Sequence, residues 1–200
     1  MADDTAGNRA DRAEGNAGQY AGQRASQSGG QRAGQSAGQQ AGQYGGATRA
    51  AGGLLTGVAA GVIMALVAMV HTFLFGLGFW LPMKLVAALY FGVGALIGGA
   101  GTVIAGILTH LAVAGAIGLV FGWALGNWIH KASGLAAGIL TGVAIWALNT
   151  FVLLTWINPT MLDREMMGAG WWFVYHLVFG GLLLFTAPVI GALERWRARR

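Results

Sequence analysis

His71, His110 and His176 each lie inside a long apolar run, beside Thr72, Thr109 and Tyr175, and a further run adds Asn149 and Thr150. At about 1.5 Å of rise per helical residue, all eight fall roughly 5–12 Å below one end of their helices, so four helices would contribute to one polar layer. Ionisable groups in hydrocarbon are costly, and their presence there is by default a functional suggestion. Three imidazoles at similar depth could ligate a metal or haem, bind a quinone, or relay protons. Met69, Met83, Met161, Met166 and Met167 lie near the layer and make copper(I) the first metal to test, through soft thioether ligation. The plainer alternative is interhelical hydrogen bonding, worth about 0.6 kcal/mol per contact. No two of these histidines have the i, i+4 spacing of a helical metal site. Structural bonding is therefore the preferred reading, a proton or solute pathway the next, and a metal site at His71, His110 and His176 the third. No cofactor is expected.

Other chemistry is sparse. Asp163-Arg164-Glu165 forms a compact charged triplet between Pro159 and Trp171. An internal salt bridge in a solvated loop accounts for it, and a cation-attracting vestibule is the sharper alternative. Two carboxylates two residues apart do not indicate acid–base catalysis, which needs a positioned partner and a substrate pocket. The chain has no cysteine, which excludes disulfides, thiolate nucleophiles and Cys-ligated clusters. With no specific catalytic or phosphate-binding motif, the expectation is a protein that is not an enzyme.

The elements that must position the layer are apolar helices. Of 200 residues, 56% are hydrophobic and only 10% charged, with mean hydropathy +0.59, far from an ordinary soluble domain in which about a quarter are charged. A net charge of +5 and a pI near 10.2 do not argue for nucleic acid, because the arginines sit in the tails rather than on a folded face. Residues 1–50 read as a disordered Gly/Gln/Ala-rich tail, with a four-residue repeat (AGQY, AGQR, ASQS) from Ala17 to Tyr44. Residues 51–196 read as a helical membrane domain, and 197–200 as a basic C-terminal tail. Four runs, 53–75, 102–126, 134–157 and 171–193, reach the roughly 20 residues that a bilayer core requires. The piece at 84–100 is too short and glycine-rich for a lipid-exposed crossing, and reads as a re-entrant or interfacial helix bounded by Pro82 and Lys84. About fifty polar residues ahead of the first run argue against a cleavable signal peptide. The N-tail, His130-Lys131 and the C-terminal arginines would share one side, with Lys84 and Arg164 on the other, so the positive-inside rule places both termini in the cytoplasm. Trp80, Trp156, Trp171 and Trp172 would mark the outer interface, and Trp123, Trp128 and Trp196 the inner one.

Gly57-Val58-Ala59-Ala60-Gly61-Val62-Ile63 returns as Gly134-Leu135-Ala136-Ala137-Gly138-Ile139-Leu140, and the register extends to Pro82 and Pro159. Thr109-His110-Leu111 similarly matches Tyr175-His176-Leu177 at a shorter offset. The fold class expected is thus an all-α membrane protein: four transmembrane helices as two parallel repeated hairpins. Gly57/Gly61, Gly134/Gly138, Gly115/Gly118/Gly122 and Gly180/Gly181 would let backbones approach, either within the bundle or in a homo-oligomer. Pro188 should kink the fourth span.

A Gly-rich first span, then His-Leu followed by small residues in the next, resembles small uncharacterised multi-span proteins of the bacterial inner membrane, over about residues 53–193. That resemblance implies a plasma-membrane location and a helical bundle, and carries no site residues. The leading expectation is a non-enzymatic scaffold, assembly or envelope-stress component with the lipid bilayer and an unidentified membrane protein as partners. The alternatives are a small transporter or channel subunit with an outer-facing polar cavity, and a metal- or haem-binding protein using the intramembrane histidines.

Overall fold

The computed structural model describes residues 44–129, 131–166 and 169–200, without the side chains of 131–132, 164–166 and 169. The low-complexity repeats up to Gln43, His130 and Met167 lie outside the described residues. All regular structure among the described residues is helical: α1 (Gly46–Leu74), α2 (Leu81–Phe91) continued by a 3₁₀ turn (Gly92–Ile97), α3 (Ala100–Leu125), α4 (Lys131–Leu148), α5 (Leu154–Ile157), α6 (Pro159–Met166), α7 (Ala169–Leu182) and α8 (Thr186–Arg197). Five residues of π-helix, Asn149–Leu153, join α4 to α5, and a 3₁₀ turn, Leu183–Phe185, joins α7 to α8. Four continuous helices are long and apolar enough to cross a bilayer: Gly46–Leu74, Ala100–Leu125, Ser133–Ile157 and Gly170–Arg197.

The first helix begins seven residues before the expected start of its span, inside the stretch assigned to the tail. Tertiary contact explains the extension: the Thr48 hydroxyl accepts a hydrogen bond from Arg197, and Gly52 lies directly against Ile190. Asn127, in the link between α3 and α4, accepts from the Tyr44 backbone N–H at 3.2 Å. The start of α1, the α3–α4 link and the end of α8 therefore share one end of the molecule. Both hairpins, α1–α3 and α4–α7/α8, leave that end and return to it.

Helix α1 is the centre of the domain. Its apolar core is 50% buried, against 22% for the second and third spans. It crosses α3 through glycine on both sides, where a Cβ on Gly57 would lie 2.7 Å from the Gly118 Cα and one on Gly122 would lie 2.7 Å from the Gly53 Cα. In the second hairpin, a Cβ on Gly138 would collide with the Gly180 carbonyl, and one on Gly180 would sit 3.0 Å from the Gly142 Cα. Such contact replaces the hydrophobic driving force that lipid removes. Gly61 faces the Ala114 Cβ and Gly134 faces Ile129, whereas Gly115 and Gly181 meet only side-chain ends: Leu54 and Val58 for the first, Ile139 for the second.

The fourth span breaks where Pro188 requires it. Proline offers no N–H to the carbonyl four residues back, Leu184, and its ring crowds that carbonyl. The helix tightens to 3₁₀ over Leu183–Phe185 and resumes at Thr186.

The segment between the first two spans does not cross. Gly106 of α3 packs on the backbone of Met83, and the Thr109 hydroxyl lies 2.9 Å from the Tyr90 Oη. Seven residues of α2 thus advance only three along α3, about 4.5 Å, so α2 lies obliquely across it. The chain turns at Gly92, whose φ of +53° favours glycine, and the 3₁₀ turn doubles back until the Lys84 Nζ donates to the Leu96 carbonyl at 3.1 Å. Lys84→Met should release this staple, and hydrogen exchange over residues 92–97 is expected to rise severalfold while α1 and α3 stay protected; unchanged exchange would show that the turn holds without it.

The aromatic belts follow the expected frame with one exception. Trp80, Trp156 and Trp171 are exposed at the loop end, and Trp123, Trp128 and Trp196 at the terminal end. Trp172 is buried, with only 8% exposure, and belongs to the interior.

Candidate functional site

The polar side chains that sequence places at one depth come together around two adjoining cavities beneath α2. The larger has a volume of about 350 Å³ and is lined by His71, Thr72, His110 and Tyr175, with Ala65 and Ala68 of α1, Leu81 and Met83 of α2, Met161 of α6 and Trp171 and Trp172 of α7. The smaller, about 150 Å³, is lined by Thr109, His110, Asn149 and His176, with Val113, Ile117 and Ile145. Met64, Val86, His110, Met161 and Trp172 border both. Seven of the eight residues of the layer therefore face a cavity. Thr150 instead accepts a hydrogen bond from the Trp172 Nε1–H at 3.2 Å.

Each histidine has its own partner. His71 Nδ1 lies 2.5 Å from the Tyr175 Oη, and its ring is held between Phe75 and Trp171, with centroids at 4.6 and 4.3 Å. Its Nε2 is buried and has no hydrogen-bond partner among the described residues. His110 Nε2 lies 3.0 Å from the Gly61 carbonyl oxygen. A carbonyl can only accept, so Nε2 carries the proton and Nδ1 is left as the acceptor. His176 Nδ1 likewise donates to the Trp172 carbonyl at 2.9 Å, and its Nε2 receives the Asn149 amide at 3.4 Å. Neutral imidazoles with assigned tautomers suit an apolar interior.

These arrangements bear on metal binding. Among the described residues, no group of three or more His, Asp or Glu side chains is placed to hold a metal ion. The ring nitrogens of His110 and His176 that carry protons are directed at backbone carbonyls of different helices. Met69, Met83 and Met161 are buried in the packing around α2, with Met161 in the wall of both cavities. Asp163 is exposed on α6, and the side chains of Arg164 and Glu165 lie outside the described residues.

Two contributors carry no distinctive signal in the chain. Asn158 is only 4% exposed and joins three elements: its Oδ1 caps α6 through the Met161 N–H at 3.1 Å, and its Nδ2 donates to the Leu85 carbonyl of α2 at 2.9 Å. The Asn-Pro dipeptide marks the helix start, since Asn is a favoured cap and Pro a favoured first residue. Nothing in it points to Leu85. The π-helical turn at Asn149 is the other: such turns recur at functional sites, and here one coincides with the residue that meets His176. No protein-family model, curated protein or solved structure matches the chain.

Proposed function

We propose that this protein is a non-enzymatic integral membrane protein that receives a small solute in the cavity at its loop end, as a small transporter or channel subunit would. The observation that carries this reading is the cavity itself. A void of about 350 Å³ lies within the range of ligand pockets and has mostly apolar walls with a few convergent polar groups. A scaffold or assembly component needs the same helices but has no use for the void, and a close-packed polar layer would have served it better.

The membrane is taken to be a bacterial plasma membrane. Arg49, Arg195, Arg197, Arg199 and Arg200 gather at the terminal end, and the positive-inside rule makes that end cytoplasmic and the cavity outward-facing. The two hairpins are taken as two copies of one unit. In its favour, Gly61 meets Ala114 as Gly138 meets Gly180, and Gly57 packs by Gly118 as Gly134 approaches Leu184. These pairs correspond under the same two sequence offsets. Both copies also follow their first span with a helix that has proline in its first turn, Pro82 or Pro159.

The natural absence of cysteine permits a clean test. Ala68→Cys, in the cavity wall, is expected to react with a small membrane-impermeant methanethiosulfonate added from the outer side of intact cells. Leu140→Cys, exposed on the lipid face of α4, should not react. An inert thiol in a correctly inserted Ala68→Cys variant would sink the outward-facing cavity and return the scaffold reading to first place.

A further inference from the structure

The two hairpins meet unequally. Two copies related by an axis along the membrane normal should make two equivalent contacts, α1 with the fourth span and α4 with α3. The first is extensive: α1 packs on α7 in its outer half and on α8 in its inner half. The second is nearly absent, and α3 scarcely touches α4. The smaller cavity occupies that missing contact, with Thr109, Val113 and Ile117 of α3 on one wall and Ile145 and Asn149 on the other. Val113 is 53% exposed, so this cavity lies behind residues that face the surrounding lipid.

We infer that the gap between α3 and α4 is a lateral portal, through which a neutral, lipid-soluble molecule bearing a hydroxyl head enters from the bilayer and places that hydroxyl on His110. This rests on the solute-cavity reading and deepens it. The occupant's chemistry follows from the lining. Among the described residues, neither cavity is lined by Lys, Arg, Asp or Glu, so a phosphate, carboxylate or ammonium head would find no counter-charge. His110 borders both cavities, and with its Nε2–H committed to the Gly61 carbonyl it offers Nδ1, an acceptor that needs a donor. The Thr109 and Thr72 hydroxyls on either side are already paired, with the Tyr90 Oη and the Met69 carbonyl, which leaves His110 Nδ1 as the acceptor, while methionine, valine and tryptophan walls suit an alkyl or aromatic body. The route into the larger cavity passes Met64 and Met161, unbranched side chains that readily change rotamer.

The test uses the full chain in lipid nanodiscs and a diazirine-tailed alkylphenol as photolabel, competed by 4-octylphenol or by its methyl ether, which has the same shape without the donor. Saturable labelling is expected within 108–117 and 145–154, with the phenol competing at least tenfold better than the ether. Val113→Trp, a substitution at a half-exposed site that spares every hydrogen bond, should cut labelling at least fivefold, and His110→Phe should erase the preference for phenol over ether. Equal competition by phenol and ether would overturn donor recognition. Labelling confined to Leu77–Leu81 and Trp171, unaffected by Val113→Trp, would overturn lateral entry and leave the outward-facing cavity standing. No saturable labelling would overturn both.

Discussion

Gly118→Val is expected to destabilise the protein more than any other single substitution among the packing glycines. A Cβ at residue 118 would meet the Gly53 carbonyl and lie 2.5 Å from the Gly57 Cα and 2.8 Å from its nitrogen. All three obstacles are backbone, so no rotamer change relieves them and the helices must part. Overpacking a core costs about 1–3 kcal/mol when side chains can shift, and prying apart two backbones belongs at or beyond the top of that range. The expected result is protein that accumulates poorly and unfolds in detergent well below wild type. Gly181→Ala supplies the contrast: its nearest neighbour would be the Ile139 Cδ1 at 3.7 Å, an ordinary contact, and alanine gains about 0.8–1 kcal/mol of helix propensity. It should unfold at or slightly above the wild-type temperature. Thermal unfolding of all three in one detergent decides the matter, and similar stability for Gly118→Val and wild type would refute the α1–α3 glycine seam.

Asn158→Leu should produce the second large effect. It removes the cap on the Met161 N–H, worth about 1 kcal/mol, and leaves the buried Leu85 carbonyl without its side-chain donor, costing about 1–3 kcal/mol. A loss of roughly 2–4 kcal/mol is expected, with α2 loosened over the larger cavity. Asn158→Asp separates the two roles, because a carboxylate still caps α6 but has no N–H for Leu85 and faces its carbonyl instead. A Leu81→Cys substitution, added to each background, reports α2 directly through the reactivity of its thiol. That reactivity should rise in both variants, whereas α6 should stay protected from hydrogen exchange only in the aspartate variant. If neither variant changes the reactivity of the Leu81→Cys thiol, the bridge does not hold α2.

Much of this architecture was legible in the chain. Apolar run lengths identified four spans, and the glycines and Lys84 around residues 84–100 identified a segment that does not cross. Gly57, Gly61 and Gly138 stood out as close-approach positions because glycine at spacing four lies on one helix face. Gly118 and Gly180, which meet Gly57 and Gly138, stood out with them, whereas Gly53, Gly142 and Gly106, which complete the crossings, did not, and several lie in runs where glycine is common. Spans that are apolar on every face carry no amphipathic stripe, so sequence cannot say which face meets a neighbour and which meets lipid. Trp172 shows the same limit. Beside Trp171 it resembles a belt residue, and one helical position turns it inward to Thr150 and His176.

What the sequence by itself determined is the membrane class, the number and order of the spans, the break ahead of Pro188 and the depth of the polar residues. Each follows from length, hydropathy or covalent geometry along one helix. Tertiary structure alone decided that α1 lies at the centre, that α3 and α4 stay apart, that a cavity opens beneath α2, and that Asn158 ties α2 to α6. Those outcomes depend on which glycine faces which backbone across helices, and on hydrogen bonds such as Asn158 to Leu85 that join groups 73 residues apart. Neither leaves a periodic trace in the chain.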